Sequence, residues 1–147
     1  VNRFFRLSPV LRARKAQEDA AKGAVMQSRA EIREAQDLVR RKQLDLVGAE
    51  APTEGTARAI VAGLVARQSL AGALMSAHRM VEEAEEVERE RMAVLADAAK
   101  RRRAVEMMAE RHAEMVRAND LRKDQANLDE LAMTSKARNA ARSGGAE

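Results

Sequence analysis

Residues 21–55 read AKGAVMQSRAEIREAQDLVRRKQLDLVGAEAPTEG, and this stretch decides the fold. Val25, Ile32, Val39 and Leu46 recur every seven residues, with Ala21, Ser28 and Ala35 at the companion positions between them. Alternating spacings of three and four put these side chains on one stripe of an α-helix, the pattern of a coiled-coil seam. The stripe then stops. Gly48 to Gly55 holds two glycines, one proline and no large apolar residue, which is the composition of a turn.

Working outward, Ser8-Pro9 marks the start of helix 1. Ser8 can cap free backbone N–H groups, and Pro9 suits the first helical position because the N–H it lacks has no partner there. Helix 1 is predicted over about 9–47, after an N-terminal extension and cap at 1–8, and Gly48 offers its stop. The turn occupies 48–55. Thr53 or Thr56 can cap helix 2, predicted over about 56–138, with Gly63 and Gly72 weakening its start by roughly 1 kcal/mol each. Ile60, Leu64, Ala71, Leu74, His78, Val81, Met92 and Leu95 form its expected seam, with Arg67, Glu85 and Glu88 as polar breaks. Beyond Lys100 the phase is read as slipping. Val105, Met108, His112 and Met115 make one stripe, and Leu121, Leu128 and Leu131 another. Residues 143–147 are expected to fray.

The fold class is therefore all-α: a long antiparallel two-helix coiled coil over 9–142, with an overhanging second helix. Helix 1 spans roughly 57 Å and helix 2 roughly 120 Å, so about the last 40 residues of helix 2 lack a partner from helix 1. An apolar stripe on that overhang marks a binding surface, a pairing site for a second copy, or a disordered end.

Composition agrees. The 147 residues include 31 Ala, and Phe4 and Phe5 are the only aromatics. That argues against a β-sandwich or barrel, which needs many β-branched and aromatic residues. It also disfavours a round core, since alanine buries little area. Charge is segregated. Residues 1–47 carry 11 basic and 6 acidic side chains, 48–97 carry 5 and 9, and 98–147 carry 11 and 8. Folding at the turn sets a positive helix against a negative one, each exposed pair adding about 0–1 kcal/mol.

No catalytic chemistry is expected. Without Cys there is no disulfide, thiolate metal site or Cys nucleophile, and His78 and His112 lack companions at ligand spacing. Glu82-Glu83-Ala84-Glu85-Glu86-Val87-Glu88 reads as a solvated acidic face opposite helix 1. No Gly-rich phosphate loop occurs. Neither an enzyme nor a metal or other cofactor is expected. Lys100-Arg101-Arg102-Arg103 is the densest basic run, suited to protein docking or plain solvation. It suits nucleic acid less, because no aromatic is placed to stack on bases. The eight Met give either an adaptable surface or, at Met75 and Met92, seam filler. Phe4, Phe5 and Leu7 either staple back near Leu11 or anchor in a partner. No apolar run approaches the length of a membrane span, and the N-terminus lacks a signal-peptide core, so a cytoplasmic protein is expected. Val1 in place of Met fits processing, a fragment, or a GTG start codon.

Two terminal stretches resemble flagellar export proteins of the FliJ family. One is Phe5-Arg6-Leu7-Ser8-Pro9-Val10-Leu11-Arg12-Ala13-Arg14. The other comprises Lys100-Arg101-Arg102-Arg103-Ala104-Val105-Glu106, Glu110-Arg111-His112 and Leu128-Asp129-Glu130-Leu131-Ala132. The resemblance implies an antiparallel coiled coil similar to the central stalk of rotary ATPases, without catalytic residues. Its implied role is to enter the ring of the export ATPase FliI, contact the export gate protein FlhA and escort export chaperones. It implies a cytoplasmic protein, peripheral at the membrane when docked. The family's aromatic-x-x-x-Leu-x-x-Ala gate surface has its spacing here at Leu70, Leu74 and Ala77, with Leu70 replacing the aromatic. Arg101, Arg102, Arg103 and Arg111 are the implied contacts to the ATPase. A self-associating scaffold and a nucleic-acid-binding helical rod are the alternatives.

Overall fold

The computed structural model describes residues 2–49 and 53–145. It contains α1, Ser8–Gly48, and α2, Ala57–Ser143, and no strand among the described residues. The chain is an all-α, antiparallel two-helix hairpin. Its contacts divide into two units, 14–101 and 1–13 with 102–147.

Within 14–101, α1 buries Glu18, Ala21, Val25, Ser28, Ile32, Ala35 and Val39, spaced alternately by three and four. The seam read from the sequence is thus present, and its deepest member is a hydroxyl: Ser28 is 0% exposed. The facing stripe of α2 is Leu70, Leu74, Ala77, Val81, Ala84, Glu88, Arg91, Leu95 and Ala98, of which only Ala77 is fully buried. This corrects the expected seam. Leu64, His78 and Met92 lie on the exposed side. Glu88 does hold the seam position read as a polar break, whereas Arg91 takes the place expected for its apolar neighbour Met92. The core is shallow because its members are small. A fully buried Val or Ile stabilises by about 1.5–3 kcal/mol, and alanine by less.

Ion pairs fix the register. Arg29 Nε lies 3.0 Å from Glu88 Oε1. Arg91 Nη1 donates to Ser28 Oγ at 2.7 Å and to the Ala24 carbonyl at 3.2 Å, and stands 3.8 Å from Glu31. At the turn end, Arg67 Nη1 donates to the Ala49 carbonyl at 3.1 Å. The acidic face meets α1 through Glu88, while Glu86 pairs with Arg89 on its own helix.

The caps differ in part from expectation. The Leu7 carbonyl, not the Ser8 side chain, starts α1, accepting from Leu11 N at 2.9 Å, so Ser8 lies inside the helix. Of the two threonines, Thr56 caps α2: its Oγ1 accepts from Ala59 N at 3.2 Å. Gly55 has φ +131°, a conformation that a side chain disfavours, and this is why glycine ends the turn. The other turn residues Glu50, Ala51 and Pro52 lie outside the described residues, as do Val1, Ala146 and Glu147 of the N-terminus and the expected tail. α2 continues to Ser143, beyond the predicted end near 138, and the Gly144 N–H still bonds to the Ala140 carbonyl.

Within the other unit, the half-buried residues of α2 are Arg102, Val105, Glu106, Ala109, His112, Val116, Asn119 and Asp120. Ala98 to Arg102 is a four-residue step, so the spacing of three and four carries on and the expected slip after Lys100 is absent. Met108 and Met115 are exposed, and Ala109 and Val116 take the places assigned to them. From Leu121 to Gly145 every described residue is exposed. The uncovered stretch is therefore shorter than the 40 residues expected, because residues 2–7 reach α2 as far as His112 and Asp120.

One eighteen-residue window of α2 has mean hydropathy 1.4, long and apolar enough to cross a membrane by length and composition. Between Arg58 and Arg79 the one charged residue is Arg67, which interrupts every apolar run yet leaves the average high. Leu70, Leu74 and Ala77 of that segment form part of the seam with α1, which weighs against a span.

Candidate partner-binding surfaces

The N-terminal segment packs against α2. The Phe5 ring packs at 5.6 Å and 43° against His112. His112 Nε2 lies 2.8 Å from the Asn2 carbonyl, and Arg3 pairs with Asp120 at 3.1 Å. Asn2, Phe4, Phe5, Arg6, Leu7 and His112 line a shallow hollow of about 260 Å³. Phe5 and His112 thus satisfy each other, while Phe4 remains 82% exposed. The sequence signalled that these aromatics needed a site, but not that a histidine more than a hundred residues away supplies it.

Carboxylates largely neutralise the basic run. Arg101 Nε stands 3.0 Å from Asp97, and Arg102 is hydrogen-bonded to Glu106. Arg103 donates to Glu110 at 2.9 Å and to Glu106 at 3.2 Å. The Glu110 hydrogen bond, then that from Glu106, raises the Arg103 pKa and keeps the guanidinium protonated. These are same-helix pairs at helical spacings, weak in stabilisation and open to exchange for outside partners. Arg111 is exposed and makes no ion pair among the described residues. Arg101 belongs to the 14–101 unit, and Arg102, Arg103 and Arg111 to the other.

Leu70 and Leu74 are half-buried and Ala77 is 2% exposed. They share a face, but that face is the seam with α1, so only the outer edges of the leucines are accessible. The broadest apolar exposure lies elsewhere. Leu121, Leu128, Leu131 and Met133 project from the C-terminal part of α2, and Val61, Leu64, Val65 and Met75 from its start. Leu64, expected in the seam, and Met75, offered as seam filler, both belong to this exposed second group.

An alanine-rich antiparallel pair of helices, closed along a seam of small residues and bearing exposed apolar side chains and arginines, is in class a two-helix coiled-coil protein. The family model described as Flagellar FliJ protein matches residues 3–141, and the chain belongs to the FliJ family. The family is a non-enzymatic component of the flagellar export apparatus, as the terminal motifs implied. No curated protein and no solved structure matches the chain.

Proposed function

We propose that the protein is a coiled-coil stalk that docks into the ring of the flagellar export ATPase and couples it to the export gate and chaperones. Family membership along residues 3–141 carries this reading. The mechanism is positional. Each contact surface is held on a helix face, and binding at one surface brings the other partners to the same chain. The end bearing the termini enters the ring, with Arg101, Arg102, Arg103 and Arg111 meeting acidic groups of the ATPase. Exchange of Asp97 and Glu110 for those groups costs little, because exposed pairs contribute only about 0–1 kcal/mol, while the half-buried Arg102–Glu106 pair holds more firmly. Leu70, Leu74 and Ala77 mark the gate contact, made by the leucine edges over Ala77. The protein works in the cytoplasm and is peripheral at the membrane when docked.

A pull-down against the cognate ATPase tests this. The parent protein is expected to bind, and Arg102→Glu with Arg103→Glu to bind at least tenfold more weakly. Failure of the folded parent to bind refutes the proposal. The exposure of Leu121, Leu128 and Leu131 favours a second reading, a scaffold that self-associates through this segment. Sedimentation that shifts to dimers with concentration, without ATPase binding, selects it.

A further inference from the structure

We infer that the first third of α2 carries a lipid-binding row that seats the turn end of the hairpin on an anionic membrane surface. Residues 55–81 contain three arginines and no acidic residue, in a chain with 23 Asp and Glu. The same segment supplies the apolar window of mean hydropathy 1.4. At 100° per residue, Val61, Leu64, Val65 and Met75 fall within a sector of about 100°, roughly 130–170° from Leu70, Leu74 and Ala77. All four are more than half exposed, from 53% at Leu64 to 68% at Met75. The row therefore lies behind the seam.

Arg67, the one charge within the segment, lies about 110° from the row's centre and donates to the Ala49 carbonyl. Its engagement with Ala49, just past the end of α1, leaves the row uncharged. Arg58 and Arg79 stand at the row's two ends, where long side chains can reach phosphate headgroups while the apolar residues enter the acyl boundary. Gln68 and Gly72 occupy the middle, so a partner helix would find few large side chains to grip. A second copy would set an acid-free, arginine-bearing face against itself. An anionic lipid surface satisfies both the apolar row and the charge.

Vesicle flotation of the full chain, with no other export protein present, tests this independently of ATPase docking. The protein is expected to float with vesicles of phosphatidylglycerol and phosphatidylethanolamine, to stay behind with phosphatidylcholine, and to dissociate as salt rises. Leu64→Glu with Val65→Glu should weaken partitioning by at least roughly tenfold with helicity unchanged, whereas Leu128→Glu should float like the parent. If the parent stays in the bottom fraction with anionic vesicles, or if Leu128→Glu loses as much as the double variant, the inference is overturned. Binding of the row to an acidic protein helix would give the first of those results.

Discussion

Ser28 and Arg91 are predicted to act as one unit that sets helix register. Ser28 is fully buried, and Arg91 Nη1 reaches it at 2.7 Å while also donating to the Ala24 carbonyl. Arg91→Leu removes a hydrogen bond from a charged donor, worth about 1.5–3 kcal/mol, and leaves the hydroxyl buried. A bond from Ser28 back to the Ala24 carbonyl recovers part of that, so the net loss is about 2 kcal/mol. Ser28→Ala alone strips one acceptor from a guanidinium that keeps Ala24 and Glu31, costing about 1 kcal/mol. The double variant replaces both partners with apolar groups, and its loss should fall below about 1 kcal/mol, a coupling of roughly 2 kcal/mol. With no Trp or Tyr in the chain, urea unfolding is followed by far-ultraviolet circular dichroism. Losses that simply add in the double variant would refute the reasoning. The apolar pair should also loosen register, read as spin-label distances across the seam that broaden in the double variant.

Other substitutions test individual features. Gly55→Ala forces a side chain into φ +131° and should cost about 1–3 kcal/mol in thermal unfolding. Thr56→Ala removes the α2 cap and should cost about 1 kcal/mol by the same assay. His112→Ala removes the partner of Phe5 and Asn2, and faster amide exchange should follow at residues 3–7 while residues 21–39 keep their protection. Leu128→Ala, on an uncovered surface, should change stability by less than about 0.5 kcal/mol.

The α1 seam was legible because its members are apolar or small at strict heptad spacing. Ala21 through Val39 needed no tertiary information. The α2 seam was less so, since Glu88, Arg91 and Arg102 occupy positions where an apolar residue is the usual marker. Glu88 and Arg91 are accommodated by partners that only the folded chain supplies, Arg29 and Ser28, and Arg102 by Glu106 one turn on along its own helix. The apolar residues Leu64 and Met92 are exposed instead, Leu64 in one row with Val61 and Val65. The length of the uncovered C-terminal segment depended on where residues 2–7 return. That is fixed by Phe5 on His112 and Arg3 on Asp120, contacts more than a hundred residues apart that no local pattern encodes. The candidate docking residues were visible as types, four basic side chains, but the pairing of Arg101, Arg102 and Arg103 to Asp97, Glu106 and Glu110 emerged from helix geometry.

The most direct test of the stalk proposal is ATP hydrolysis by the cognate export ATPase, measured as the folded protein is titrated in. Saturable stimulation is expected, reduced by Arg102→Glu with Arg103→Glu and unchanged by Ser28→Ala. Hydrolysis that stays flat across the titration, with α-helicity intact, would contradict the account.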